Sequence, residues 1–96
     1  MFGRVRAGLA DMIGTRDEVI IFAASGTGAL EAAVVNVCSP GDEVLVVQCG
    51  KFGERWTGIA RAFGVVVHTL DAPYGETVTP DRIAAALRAH PRARAL

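Results

Sequence analysis

A chain of 96 residues has room for one small domain, yet 51% of its residues are hydrophobic, a share suited to the interior of something larger. Ten acidic and ten basic residues cancel, which leaves no electrostatic footprint for nucleic acid or for an anionic membrane surface. No stretch approaches the ~20 apolar residues of a membrane span, and Met1-Phe2-Gly3-Arg4-Val5-Arg6 lacks the uninterrupted apolar core of a signal peptide, so the expected compartment is the cytoplasm.

Phe2, Val5, Leu9, Met12 and Ile13 share one helical face, and Gly14 is a natural stop for that amphipathic packing helix. After the polar connection Thr15-Arg16-Asp17-Glu18, the run Val19-Ile20-Ile21-Phe22-Ala23-Ala24 reads as a buried parallel strand. Ser25-Gly26-Thr27-Gly28 then forms a tight turn, and Leu30, Ala33, Val34 and Val37 recur at helical spacing up to about Val37 or Cys38. Strand, glycine turn and helix N-terminus in succession leave backbone N–H groups unpaired at the positive end of a helix dipole. The missing Cβ atoms of Gly26 and Gly28 let an anion approach them. The pattern fits a phosphate site, and it also fits a purely structural turn.

Ser39-Pro40-Gly41-Asp42 breaks the chain, and Glu43-Val44-Leu45-Val46-Val47-Gln48 is a second strand ending at Cys49-Gly50. Phe52, Trp56, Ile59, Ala60 and Phe63 mark the next helix, which Gly64 closes; Val65 to Leu70 is a third strand. Asp71 to Val78, with Pro73, Tyr74 and Gly75, reads as an exposed loop. Thr79 is a fitting cap for a last helix with Pro80 in its first turn, Ile83 and Leu87 facing inward and Pro91 at its end, after which a further strand opens near Ala93. Such alternation implies right-handed crossovers and a mostly parallel sheet, that is, an α/β chain forming part of a three-layer α/β/α domain. Buried parallel strands need helices on both faces and neighbours on both edges. Four short strands hardly provide them, so an incomplete piece of a larger domain is expected.

Gly26-x-Gly28 carries the first two glycines of a dinucleotide fingerprint, but Glu31 stands where a small residue belongs and no ribose-binding acid follows Gln48. A Walker loop is absent. Cys38 and Cys49 have no metal-site spacing and are read as reduced thiols.

Three linked segments, Ser25-Gly26-Thr27-Gly28-Ala29-Leu30-Glu31-Ala32-Ala33, Asn36-Val37-Cys38-Ser39-Pro40-Gly41-Asp42 and Gly50-Lys51-Phe52-Gly53-Glu54-Arg55-Trp56, resemble the class V aminotransferases of the pyridoxal-phosphate fold type I group. Within that group the sequence is most similar to the alanine/serine–glyoxylate branch, from about Arg6 to the end of the chain. The resemblance implies that Ser25, Gly26, Thr27 and Gly28 form the phosphate turn of pyridoxal 5'-phosphate and that Phe52 stacks on the cofactor ring. A first core residue of the helix is the other reading of Phe52. It further implies a homodimer that moves an amino group from a small amino acid such as alanine or serine to an oxoacid such as glyoxylate. In that fold the first strand lies across the sheet from the second and third, with later strands between them.

Lys51 is the only lysine, and the resemblance places the family's imine-forming lysine beyond residue 96, leaving Lys51 a solvated surface residue. No catalytic residue is therefore assigned within the chain, which is expected to be inactive alone and to fold poorly through its open sheet edges. His68 reads as a satisfied sheet histidine and His90 as a partner of a helix C-terminus. Glu31 and Arg55 read as candidates for structural ion pairs, Trp56 and Phe63 as core, and Cys49 as a small buried residue. A free-standing phosphate- or nucleotide-binding module and a non-catalytic remnant are the alternatives.

Overall fold

The structure, a computed structural model, describes residues 1–96. Helix α1 (Phe2–Ile13) ends at Gly14 in the left-handed conformation, φ 75°. Helix α2 (Gly26–Val37) starts at Ser25, whose side chain accepts a hydrogen bond from the Gly28 N–H. Strand β1 (Glu43–Gln48), helix α3 (Lys51–Ala62), strand β2 (Val66–Asp71), helix α4 (Pro80–Ala89) and strand β3 (Ala93–Ala95) complete the chain. Thr79 caps α4 by accepting from the Arg82 N–H, with Pro80 in the first turn as the sequence predicts.

The three strands form a parallel sheet in the order β2-β1-β3. The apolar run of β1 takes its centre: Glu43 pairs with Val66 and Gln48 with Asp71 on one side, and Glu43 with Ala93 on the other. Leu45, 2% exposed, is the most deeply buried side chain. Helix α3 packs against β1 and β2, α2 packs against α3, and the core cluster is Val34, Cys38, Val44, Ala60 and Val65. Trp56 and Phe63 pack against it half-buried, as their helical spacing suggests.

The predicted first strand is the main departure. Residues 19–24 form no ladder with the sheet, and Ile20, Ile21 and Phe22 are exposed. A strand is defined by the neighbour that takes its backbone hydrogen bonds, and neither edge of this sheet lies beside the segment. Its one side-chain tie is to α1, where Arg6 Nε donates to the Val19 carbonyl oxygen at 2.9 Å while the same guanidinium pairs with Glu18. Helix α1 likewise forms where its periodicity predicts, but Phe2, Val5, Met12 and Ile13 are exposed and nothing covers that face. Leu87 on α4 is also exposed, against the inward expectation, and Cys49 is half-buried rather than buried.

Glu43, at the start of the central strand, ties both neighbours to it. Its carboxylate accepts from His68 Nε2 of β2 at 2.9 Å and pairs with Arg92 just ahead of β3. The His90 ring stacks on His68 with centroids 3.9 Å apart, so both histidines belong to this structural knot. The hydrogen bond from His68 is the main reason that the Glu43 carboxyl lies below its ordinary 4.5, with the charge of Arg92 adding to it against partial desolvation. A carboxyl depressed in the folded state contributes stability that is present above the unfolded value and is lost as pH falls through the folded one. Stability should therefore decline below about pH 4.5, the ordinary value. Glu43→Gln is expected to flatten that part of the acid limb in urea titrations run from pH 6 to pH 3; an unchanged limb would remove Glu43 as its source.

Candidate cofactor site

The first turn of α3 rests directly on the carboxyl end of β1. A Cβ on Gly53 would stand 2.6 Å from the Val47 carbonyl oxygen and 2.9 Å from Gln48 Cα, so only glycine permits this approach. Polar bonds fix the same corner: buried Thr57 donates to Gln48 Oε1 at 2.6 Å, and Gln48 Nε2 donates to Asp71 Oδ1 at 2.7 Å. The carboxyl ends of β1 and β2 are thereby joined to α3, and Phe52 projects beyond them. Within this chain it is 69% exposed. A large aromatic held in water on a fixed backbone is a platform with one face to offer.

The glycine turn lies within reach of that platform. Gly26 and Thr27 occupy the first two positions of α2, where backbone N–H groups have no partner within the helix. Nothing lies within 4 Å of a Cβ built on Gly26, so open space adjoins the start of α2 on that side. At Gly28 the reason for glycine is different: a Cβ there would meet the Ala24 Cβ at 2.8 Å, so this residue lets the turn close on the preceding segment.

One guanidinium touches both parts. Arg55 Nη1 donates to Thr27 Oγ1 at 3.0 Å, and Arg55 Cζ lies 5.8 Å from the centroid of the Phe52 ring, within cation–π range. Thr27 of the glycine turn and Phe52, 25 positions apart in sequence, thus both border the side chain of Arg55. Neither Arg55 nor Glu31 forms an ion pair, so the structural pairing expected for them is absent. The signal that singles out Arg55 is its i, i+3 relation to Phe52, which puts the two on one face of α3.

The neighbouring charges are occupied elsewhere. Glu54 accepts from the Tyr74 hydroxyl and from Lys51 Nζ at 3.0 Å, which pins the loop after β2 to the start of α3. The Tyr74 hydrogen bond, followed by that of Lys51, lowers the Glu54 carboxyl, and the bond to Glu54 raises both the Tyr74 hydroxyl and the Lys51 ammonium. A lysine whose charged form is favoured is a poor nucleophile at neutral pH. That agrees with reading Lys51 as a surface residue.

A cavity of about 420 Å³ lies elsewhere, between α2 and the sheet, and is lined by hydrophobic residues such as Val37, Leu45, Val47, Trp56 and Leu96. It offers a phosphate no donor, so it is set apart from the turn and ring described above.

The family model for class-V aminotransferases matches residues 1–96, and the chain belongs to that family. It is 43% identical over 89 residues to the soluble hydrogenase 42 kDa subunit of Anabaena cylindrica, covering 93% of this chain and 23% of that protein. It is 40% identical over 68 residues to the L-aspartate–glyoxylate aminotransferase of Paracoccus denitrificans, covering 71% of this chain and 17% of that one. The crystal structure of alanine–glyoxylate aminotransferase from Nostoc sp. superposes with a TM-score of 0.83 at 31% identity, over 92% of this chain and 24% of that chain. The chain therefore spans about a sixth to a quarter of the length of these relatives.

Proposed function

We propose that these residues are an N-terminal part of the large domain of a pyridoxal-phosphate aminotransferase, and that Ser25, Gly26, Thr27, Gly28 and Phe52 are its contribution to the cofactor seat. The observation that carries this reading is the convergence of an open helix N-terminus and an exposed aromatic ring on one guanidinium. An anionic group and a flat apolar ring, joined in one molecule, fit that donor set. The Gly26 and Thr27 N–H groups and the Thr27 hydroxyl would bind the phosphate, with the α2 dipole adding to the attraction. Ser25 keeps the turn in register by engaging the Gly28 N–H, and Phe52 would cover one face of the ring. The cofactor supplies the electron sink at the substrate's α-carbon, and the protein supplies binding, orientation and exclusion of water.

In the complete protein the amino group of a small amino acid, alanine or serine, would pass to an oxoacid such as glyoxylate, in a cytoplasmic homodimer. The Paracoccus denitrificans and Nostoc sp. relatives, both named as glyoxylate aminotransferases, support this choice of acceptor. The test is to purify the complete protein, look for the visible absorbance of bound pyridoxal 5'-phosphate, and follow glycine formation from glyoxylate with alanine or serine as donor. Absorbance and glycine formation together are expected. A protein that binds a nucleotide tightly and takes up no pyridoxal phosphate would overturn the reading.

A further inference from the structure

We propose that Arg55 is a positioning residue of the cofactor seat: it holds the Thr27 hydroxyl as a donor toward the phosphate. This rests on the reading of the seat given above. A threonine hydroxyl has one proton and two lone pairs, and its proton turns freely until a neighbour fixes it. Arg55 Nη1 donates to Thr27 Oγ1 at 3.0 Å, which occupies a lone pair and turns the hydroxyl proton away from α3. Thr27 makes no other side-chain hydrogen bond, and open space adjoins the Gly26 Cα beside it, which leaves the proton free for an anion at the α2 N-terminus. A hydroxyl that accepts from a cation is also a stronger donor, because hydrogen bonds in series polarise one another.

Three features favour this role over simple helix packing. Arg55 has no carboxylate partner although Glu54 is its neighbour in sequence, so its charge is not spent on an ion pair. Its contact crosses from α3 to α2, 28 positions apart in sequence, and ends on the side chain that the phosphate would touch. Its guanidinium carbon also lies 5.8 Å from the Phe52 centroid, so the same group borders the ring platform. One side chain thus borders both the phosphate donor and the stacking ring.

The experiment is a double-mutant cycle on the complete protein, freed of cofactor and titrated separately with pyridoxal 5'-phosphate and with pyridoxal, which lacks the phosphate. Arg55→Met is expected to weaken pyridoxal 5'-phosphate about tenfold and pyridoxal only about twofold, as loss of a charge-assisted donor arrangement implies. In a Thr27→Val background, Arg55→Met should weaken pyridoxal 5'-phosphate no more than about twofold, because the hydroxyl it orients is gone. Equal losses for the two ligands, or the same tenfold loss with and without the Thr27 hydroxyl, would overturn the proposal while leaving the seat intact. If the unmutated protein binds neither ligand, the reading of the seat fails and the role of Arg55 falls with it. Should Arg55→Met fail to fold, Arg55→Lys takes its place in the cycle with the same comparison of ligands.

Discussion

Replacing Gly53 by alanine is expected to destabilise the protein by about 1–3 kcal/mol, the usual cost of forcing an extra carbon into a filled space. The cost arises against backbone, since the new Cβ would lie 2.6 Å from the Val47 carbonyl oxygen and 2.9 Å from Gln48 Cα, neither of which can rotate aside. Gly58, on the same helix, has nothing within 4 Å of its Cβ position. There alanine should stabilise by roughly 0.5–1 kcal/mol through helix propensity and a smaller loss of chain entropy. Urea midpoints of the two variants of the complete protein therefore move in opposite directions. Equal midpoints would mean that the first turn of α3 is not seated on β1, and the placement of Phe52 would lose its support.

Phe52→Ala should separate the two readings of that ring. A truncated core phenylalanine costs about 3–5 kcal/mol, whereas a ring that is 69% exposed should leave stability within about 0.5 kcal/mol. Cofactor affinity is expected to fall roughly tenfold, since aromatic stacking contributes about 0.5–1.5 kcal/mol beyond the area it buries. Phe52→Trp, which keeps a stacking face, should retain most of the affinity. Loss of stability with unchanged affinity would return Phe52 to the core.

Much of the fold is legible wherever local chemistry decides it. Gly14 and Gly64 stop their helices in the left-handed conformation, Thr79-Pro80 starts one, and the apolar run from Val44 to Val47 forms the central strand at the predicted residues. What fails is what depends on distant partners. The pattern from Val19 to Ala24 encodes the capacity to be a strand, but a ladder requires a neighbour that local periodicity does not specify. The apolar face of α1 and the exposure of Leu87 have the same cause. In the site, the phosphate turn and the aromatic are visible as separate motifs, and their convergence is not. Arg55 is read as an ion-pair candidate because sequence shows its charge and not its hydrogen-bond acceptor.

The unpaired run from Ile20 to Phe22 has a consequence for the order in which the protein is made. If its pairing strands lie in the remaining three quarters of an enzyme, that run leaves the ribosome long before they exist. At the usual pace of synthesis the delay for a few hundred residues is on the order of tens of seconds. Throughout that interval a β-prone, apolar segment must be kept from other chains, while the turn that follows it is already tied to α3 through Arg55. Pairing of that segment would then be a late, post-translational event, and the exposed interval would be the step at which the chain is most prone to aggregate.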